Sequence, residues 1–173
     1  GIFHASSATT SQRPLVSFQP PLRLKFAYFT DDTGQPRGVA KMPGDGPTWL
    51  TGYVSLPDQS GNSRLVATYS KIQPPMDAYE CGLCVWHDSA KRFEHLRTIW
   101  KKSAAEPVRP AMPWGHPVFF DDHDGKRWVL FGDPLPTLRC PATFEAWQDA
   151  TTWETVTPQE YFESAADSAR IKP

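Results

Sequence analysis

Apolar and polar residues follow the same order in two successive stretches of the chain. In the first stretch, two apolar segments, 49–54 and 64–70, flank a polar turn, and two more follow at 82–86 and 91–96. The second stretch repeats this order with segments 116–120, 127–133, 138–143 and 151–156. Short apolar segments bounded by turn signals are typical of β-strands. The pattern therefore predicts two units of four antiparallel strands each.

A unit of four antiparallel strands has the form of one propeller blade. We therefore predict an all-β fold in which residues 23–157 form part of a β-propeller, with an outer hairpin at 23–42, a blade at 47–101 and a blade at 113–157. In the hairpin, residues 31–36 have turn chemistry, and Gly38 to Met42 are expected to run back as the second arm. A smaller sheet or sandwich is the alternative interpretation of the repeat.

Propellers close with roughly four to eight blades. Two blades and a hairpin are too few, so we expect the remaining blades to lie on another chain or in a lost segment. Residues 1–22 have few periodic apolar positions and predict an extended N-terminal arm. Thr157 and Glu160 have the spacing of a capping box, with Pro158 at the first helical position, and predict a short C-terminal helix and tail over 158–173.

Composition and charge narrow the choice of function. The chain has 18 Pro, 11 Gly and 7 Trp, a mixture that favours short strands and tight turns over a helical bundle. Lys and Arg number 18 against 19 Asp and Glu, so no broad positive field recruits nucleic acid or an anionic membrane. No apolar run approaches the roughly 18 to 20 residues of a membrane span. We expect neither nucleic acid nor a membrane as a partner.

The three cysteines, Cys81, Cys84 and Cys140, cannot all pair within the chain. Cys81, Cys84 and His87 have a spacing found in redox and zinc motifs, but these motifs lie at helix ends or need a fourth ligand. Residues three apart on a strand face opposite sides. We therefore predict that Cys81 and Cys84 are unbridged structural thiols on opposite faces of one strand, with Cys140 in the equivalent strand of the next unit.

The apolar strands, the Asp124-Gly125-Lys126 turn and the Trp153-Glu154 pair in the last strand resemble the blades of a known family. It is that of the five-bladed propeller glycoside hydrolases of the arabinanase, xylosidase and invertase type, together with related uncharacterised bacterial propellers. The resemblance implies a carbohydrate-active protein, secreted or periplasmic, that hydrolyses or binds a glycan or small sugar at the mouth of the central channel. A calcium ion in the channel is the one cofactor that it suggests.

The first strand of each blade lines the channel of a propeller. Four residues therefore rank first: Trp49, Thr51, Trp114 and His116. His116 is a candidate metal ligand or catalytic acid/base; the alternative is a histidine bonded to a carbonyl of a neighbouring strand. Trp49 and Trp114 are candidate substrate-binding platforms, since an aromatic face stacks on the C–H face of a sugar ring. Their alternative role is packing between blades.

Glycoside hydrolysis needs two carboxylates. Glu80, expected to be half-buried before the third strand and so to have a raised pKa, and Asp133, after strand 127–133, are the catalytic candidates. In the family, the acidic residues come from the inner strands of separate blades, and neither inner strand of this chain has a carboxylate there. Hydrolysis and binding without hydrolysis therefore both stay open. Arg139 could clamp a substrate carboxylate or form a salt bridge between blades.

A second hypothesis comes from a different class of function. The chain is then a non-catalytic propeller scaffold whose surfaces bind protein partners in an extracytoplasmic assembly. The two hypotheses differ in whether two carboxylates and His116 meet at one mouth of the channel.

Overall fold

The structure is a computed structural model that describes residues 28–157 of the 173-residue chain. The predicted N-terminal arm, the start of the predicted hairpin and the predicted C-terminal helix lie outside the described residues. Within 28–157 the fold is β-rich and contains two four-stranded antiparallel sheets. The all-β prediction is confirmed at this level.

The first sheet has four long strands in chain order: β1 (Thr48–Pro57), β2 (Ser63–Gln73), β3 (Asp77–His87) and β4 (Arg92–Lys101). The turn between β1 and β2 forms where the sequence has a polar Asp-Gln-Ser-Gly-Asn run. There the Asp58 carboxylate accepts hydrogen bonds from the backbone N–H groups of Ser60 and Asn62, at 3.0 and 2.8 Å. Such local side-chain bonds favour a turn over continued strand.

The second sheet has shorter strands in the same order: β5 (Val118–Asp121), β6 (Arg127–Gly132), β7 (Pro136–Pro141) and β8 (Glu154–Thr155). A short helix, α1 (Phe144–Gln148), and a 3-10 turn over Ala150–Thr152 separate β7 from β8. The sequence pattern did not predict α1. Thr143 caps this helix by accepting a hydrogen bond from the Ala146 N–H at 3.3 Å, and Trp147 is fully buried.

One apolar core joins the two sheets. Alternate residues of β1 to β3, among them Leu56 and Leu83, pack in the same cluster as Val129 and Phe131 of β6, and Leu138 and Cys140 of β7 belong to it as well. Trp147 of α1 closes this cluster. Because both sheets bury one face in the same core, neither can lose its partner without exposing apolar surface.

Backbone contacts also join β1 and β2 to the segment that leads into the second sheet. Gly52 lies at an irregularity in β1, with φ of +64°, and its N–H donates to the Gly115 carbonyl at 3.0 Å. The Thr51 hydroxyl donates to the same carbonyl and accepts from the Gly115 N–H, at 3.2 and 3.1 Å. The Thr68 hydroxyl donates to the Pro113 carbonyl. These bonds fix the segment 113–115 against β1 and β2.

Residues 28–47 include the segment that covers the other face of the first sheet. Met42 packs there with Tyr69 and Cys84, and buried Lys71 donates from Nζ to the Gly46 carbonyl at 2.8 Å. The predicted turn at 31–36 forms, closed by a single bridge between Thr30 and Pro36. Residues 38–42 form no strand, so the expected second arm of the hairpin is wrong. The Val39 carbonyl instead accepts a hydrogen bond from the Phe93 N–H of β4.

The cysteines match the prediction. All three are buried and free, with Cys81 and Cys84 in β3 and Cys140 in β7, the third strand of each sheet. Cys81 packs with Trp100 and Met112, whereas Cys84 packs on the opposite face with Tyr69. Burial raises the pKa of the Cys84 and Cys140 thiols to about 12, so neither is a ready nucleophile.

Within residues 28–157, no helix is long and apolar enough to cross a membrane.

Candidate functional site

A groove of about 330 Å³ lies on the first sheet, beside the segment that leads into β5. Its floor is the end of the core face that carries Trp49, Thr51 and Ser70, and no residue of β5 to β8 lines it. The side chains around it are Trp49, Leu50, Thr51, Ser70, Ile72, Met76, Ala78, Arg109 and Trp114. The structure therefore brings the two predicted platform tryptophans into one groove.

Each tryptophan is held by a different part of the fold. Trp49 lies near the start of β1, where its partner in β2 is Ser70, and 48% of it is exposed. Trp114 belongs to the 113–115 segment that is hydrogen-bonded to β1 and β2, and it packs against the cluster of Cys81, Trp100 and Met112. Trp49 is thus open to a ligand, while Trp114 is half-buried and fixed in place.

Arg109 is the charged residue of the groove. Its guanidinium carbon lies 5.1 Å from the centre of the Trp114 ring, close enough for a cation–π contact. Sequence reasoning missed Arg109 because it lies in a connection without apolar periodicity. The signal that could have found it is the Pro107, Pro110 and Pro113 spacing, which indicates a stiff, extended segment next to Trp114.

His116 and Asp133 lie close to each other at the junction of the sheets. A backbone bridge pairs Gly115 with Gly132, and the His116 N–H donates to the Gly132 carbonyl at 2.9 Å. Both side chains are exposed, and neither makes a hydrogen bond or an ion pair with another described residue. His116 precedes β5 instead of lying inside it, and neither residue lines the groove.

Glu80 lies elsewhere. It is in β3, where it accepts a hydrogen bond from the Tyr69 hydroxyl at 2.9 Å, and its other oxygen is 3.8 Å from Nζ of Lys101. Tyr69 is buried on the face of the first sheet opposite the shared core, and this burial raises its pKa. The structure therefore shows Glu80 half-buried, as predicted, but bound into a network on that face.

Arg139 is engaged by its neighbour in the second sheet. Its Nη2 lies 2.7 Å from Glu154 Oε2, and the two residues are cross-strand partners in β7 and β8. Its guanidinium carbon also lies 4.2 Å from the centre of the Trp128 ring. The alternative role for Arg139 was a salt bridge between blades. A salt bridge does form, but it joins two strands of the same sheet.

The described groove residues include no carboxylate. Over residues 28–157, no three His, Cys, Asp or Glu side chains lie together in a way that could hold a metal ion. The acidic turn after β5 holds Asp122, which contacts the His123 ring, and the His123 N–H lowers the pKa of this carboxyl. The groove can stack, donate hydrogen bonds and attract an anion, and its own side chains offer no acid/base pair.

A second depression, of about 530 Å³, lies near the other end of the first sheet and is lined mostly by polar residues of β2, β3 and the adjoining turns. The large aromatic side chain that lines it is Trp86, which already contacts Phe29 and Phe93 at 5.5 and 5.3 Å between ring centres. Trp86 also donates from Nε1 to Asp88. This ring is less available to a ligand than Trp49.

Comparison with known protein families, with curated proteins and with solved structures gives no match to this chain. The interpretation of the groove therefore depends on its geometry.

Proposed function

We propose that this chain is part of a carbohydrate-binding β-propeller and that the groove between Trp49 and Trp114 holds the glycan. The observation that carries the proposal is that two tryptophans from separate segments line one groove with the Thr51 and Ser70 hydroxyls. Aromatic faces stack on the apolar face of a sugar while polar groups bind its hydroxyls. The volume lies at the lower end of the roughly 300–1,000 Å³ typical of ligand sites, which suits a short stretch of glycan.

Three features support the propeller interpretation. Both sheets have four antiparallel strands in chain order, which is the order within a blade. The two sheets share one core, as neighbouring blades do. The first strand of the first sheet bonds through Gly52 to Gly115, in the segment that leads into β5, and this contact suits two inner strands side by side. Further blades on another chain or segment would cover the exposed apolar side chains of β5, Val118 and Phe119.

We favour binding over hydrolysis. Two carboxylates must flank the bond that a glycoside hydrolase cleaves, and the described groove residues supply neither. Glu80 is bound to Tyr69 on the opposite face, whereas Asp133 is next to His116 at the junction. The catalytic roles of Glu80, Asp133 and His116, a calcium ion at His116, and a secreted or periplasmic location remain predictions.

Affinity electrophoresis tests this proposal with gels that contain arabinan, xylan or polygalacturonan. We expect at least one polymer to retard the wild type, and Trp49→Ala to migrate as it does in a gel without polymer. Tyr53→Ala is the matched control, because Tyr53 is an exposed aromatic residue of the same strand outside the groove. Migration of wild type and Trp49→Ala with equal mobility in every gel would refute glycan binding in the groove.

One observation favours the second candidate, a non-catalytic scaffold that binds proteins. Val118, Phe119 and Leu135 are each more than 40% exposed and lie on or near the second sheet. A surface of this kind often marks a protein contact. Light scattering over a range of concentrations tests it: a mass above 19.4 kDa that returns to this value in Phe119→Glu supports a protein-binding surface. A constant monomer mass counts against self-association through it.

A further inference from the structure

Arg109 differs from the other arginines that lie over aromatic rings. Among the described residues, Arg64, Arg127 and Arg139 also contact a ring, and each meets a carboxylate, at 4.0, 3.5 and 2.7 Å. Arg109 contacts the Trp114 ring but has no ion pair or hydrogen bond to any residue in 28–157. The positive charge of Arg109 therefore lies beside the groove, over the Trp114 ring, with no described carboxylate paired to it.

The remaining described side chains of the groove are neutral. A guanidinium over a ring uses its face for the cation–π contact and keeps the N–H donors in its own plane for another partner. A carboxylate is the planar acceptor that fits this fork, and the charged hydrogen bonds between them are stronger than neutral ones. The groove therefore combines an apolar surface for stacking with one guanidinium, that of Arg109, whose planar N–H donors are available to a carboxylate.

The backbone around Arg109 is stiff, which makes this arrangement ready for a ligand. Pro107 and Pro110 fix φ near −65° on both sides, and a residue before proline is restricted to extended conformations. Downstream, the Pro113 carbonyl accepts from Thr68 and Gly115 bonds to Thr51. Ordering a loop on binding costs free energy, so a segment that is already restrained loses less when it closes on a ligand.

We propose that the groove binds an acidic sugar, a uronic acid whose ring lies against tryptophan and whose carboxylate pairs with Arg109. This inference rests on the proposed glycan binding and adds the chemical class of the sugar. It also assigns a specificity-determining role to Arg109, a residue outside the set that the sequence pattern suggested.

Isothermal titration with a matched pair of probes tests it: trigalacturonate, and the same trisaccharide with its carboxylates methylated. The rings are the same, and esterification replaces each anionic carboxylate by a neutral methyl ester. We expect the acid to bind about tenfold more tightly or better, because a hydrogen bond to a charged group contributes about this factor. In Arg109→Gln the two probes should bind equally, at the affinity of the ester for the wild type.

Two further variants sharpen the test. Arg109→Lys keeps the charge but loses the planar fork, so we expect it to retain only part of the preference. Arg127→Gln is the matched control, since Arg127 also lies over a ring, Phe119, but outside the groove, and we expect no change. Stronger binding of a sulfated galactan trisaccharide than of trigalacturonate would overturn the assignment to a carboxylate.

The outcomes separate this inference from the function beneath it. Equal binding of acid and ester by the wild type overturns the acidic sugar. A preference for the acid that survives in Arg109→Gln overturns the pairing of its carboxylate with Arg109. Both results leave glycan binding standing. Absence of binding to both trisaccharides and to all three polymers overturns the glycan proposal itself, and the inference with it.

Discussion

The two sheets share their strand order but differ in length. The strands of the first sheet have 10 or 11 residues, whereas β5 to β8 have 4, 6, 6 and 2. Short strands cannot cover the whole face of long ones. The shared core occupies one end of the first sheet, around Leu56 and Val85, and the other end carries Trp49 and Ser70. The mismatch in length therefore leaves a stretch of strand surface for a groove.

The connections differ as well. Tight turns join most strands of the first sheet, whereas residues 142–153 bring β7 to β8 through a helix and a 3-10 turn. This insertion places Trp147 and Trp153 against the core, where Trp153 donates from Nε1 to the Trp147 carbonyl at 3.0 Å. In the second sheet, the packing of these aromatic side chains thus adds to the contacts that its short strands make with the core. The comparison indicates that the two sheets unfold as one cooperative unit, and substitutions can test this.

The largest effect should come from the core that the sheets share. Phe131 is fully buried in it, and Phe131→Ala should lower the free energy of unfolding by about 3–5 kcal/mol. The control Phe119→Ala, on a side chain that is 43% exposed, should change it by less than about 1 kcal/mol. Urea unfolding followed by tryptophan fluorescence measures both. Two separate transitions, one per sheet, would contradict a shared core.

Gly115, where the segment that leads into β5 meets β1 and β6, should give the next largest effect. Gly115 has φ of +84°, and a Cβ there would overlap the Gly132 carbonyl oxygen, so Gly115→Ala must shift the backbone. Gly125, with φ of +74°, has open space at the same place, and Gly125→Ala should cost only about 1–2 kcal/mol for the left-handed conformation. We expect Gly115→Ala to cost about 1–3 kcal/mol more. Equal urea midpoints for the two variants would show that the junction is loose.

The smallest effect should come from the insertion before β8. The Thr151 N–H and hydroxyl donate to the Asp149 carboxylate at 3.0 and 2.8 Å, and these bonds, the backbone one first, lower its pKa below the ordinary 3.8. A carboxyl whose pKa is lower in the folded state stabilises the fold above its unfolded pKa, and this contribution is lost as the pH falls through the folded value.

Asp149→Asn should therefore lower the melting temperature slightly at neutral pH and not at a pH below both pKa values. Asp32→Asn is the control, because Asp32 is exposed and its side chain has no hydrogen bond within the described residues. Thermal unfolding followed by circular dichroism across the pH range measures the difference. If the melting temperature of Asp149→Asn is still lower than that of the wild type in acid, the effect comes from the shape of the new side chain and not from the lost charge.

The strands could be predicted from the sequence because short apolar segments and turn residues are local signals. The Asp58 turn and the buried apolar segments of β2 and β6 are examples. Helix α1 could not be predicted in this way, since five residues are too few to show helical periodicity and its formation depends on Trp147 reaching the core.

The site was predictable only in part. Trp49 and Trp114 were selected by residue type and by their position at the first strand of each unit, and the structure brings them together. The role predicted for Glu80 stays a prediction. A strand pattern does not say which face meets which neighbour, and Glu80 lies with Tyr69 on the face away from the second sheet. Arg109 is brought to the groove by a connection that has no periodic signal.

The buried thiols have a consequence for how the protein can be made. All three cysteines are packed as small apolar side chains and none is cross-linked, so no covalent bond of the fold depends on an oxidising environment. The same mass and unfolding curve are expected for material from a reducing cytoplasm and from an oxidising periplasm. The redox state of the compartment is then no barrier to the folding of residues 28–157.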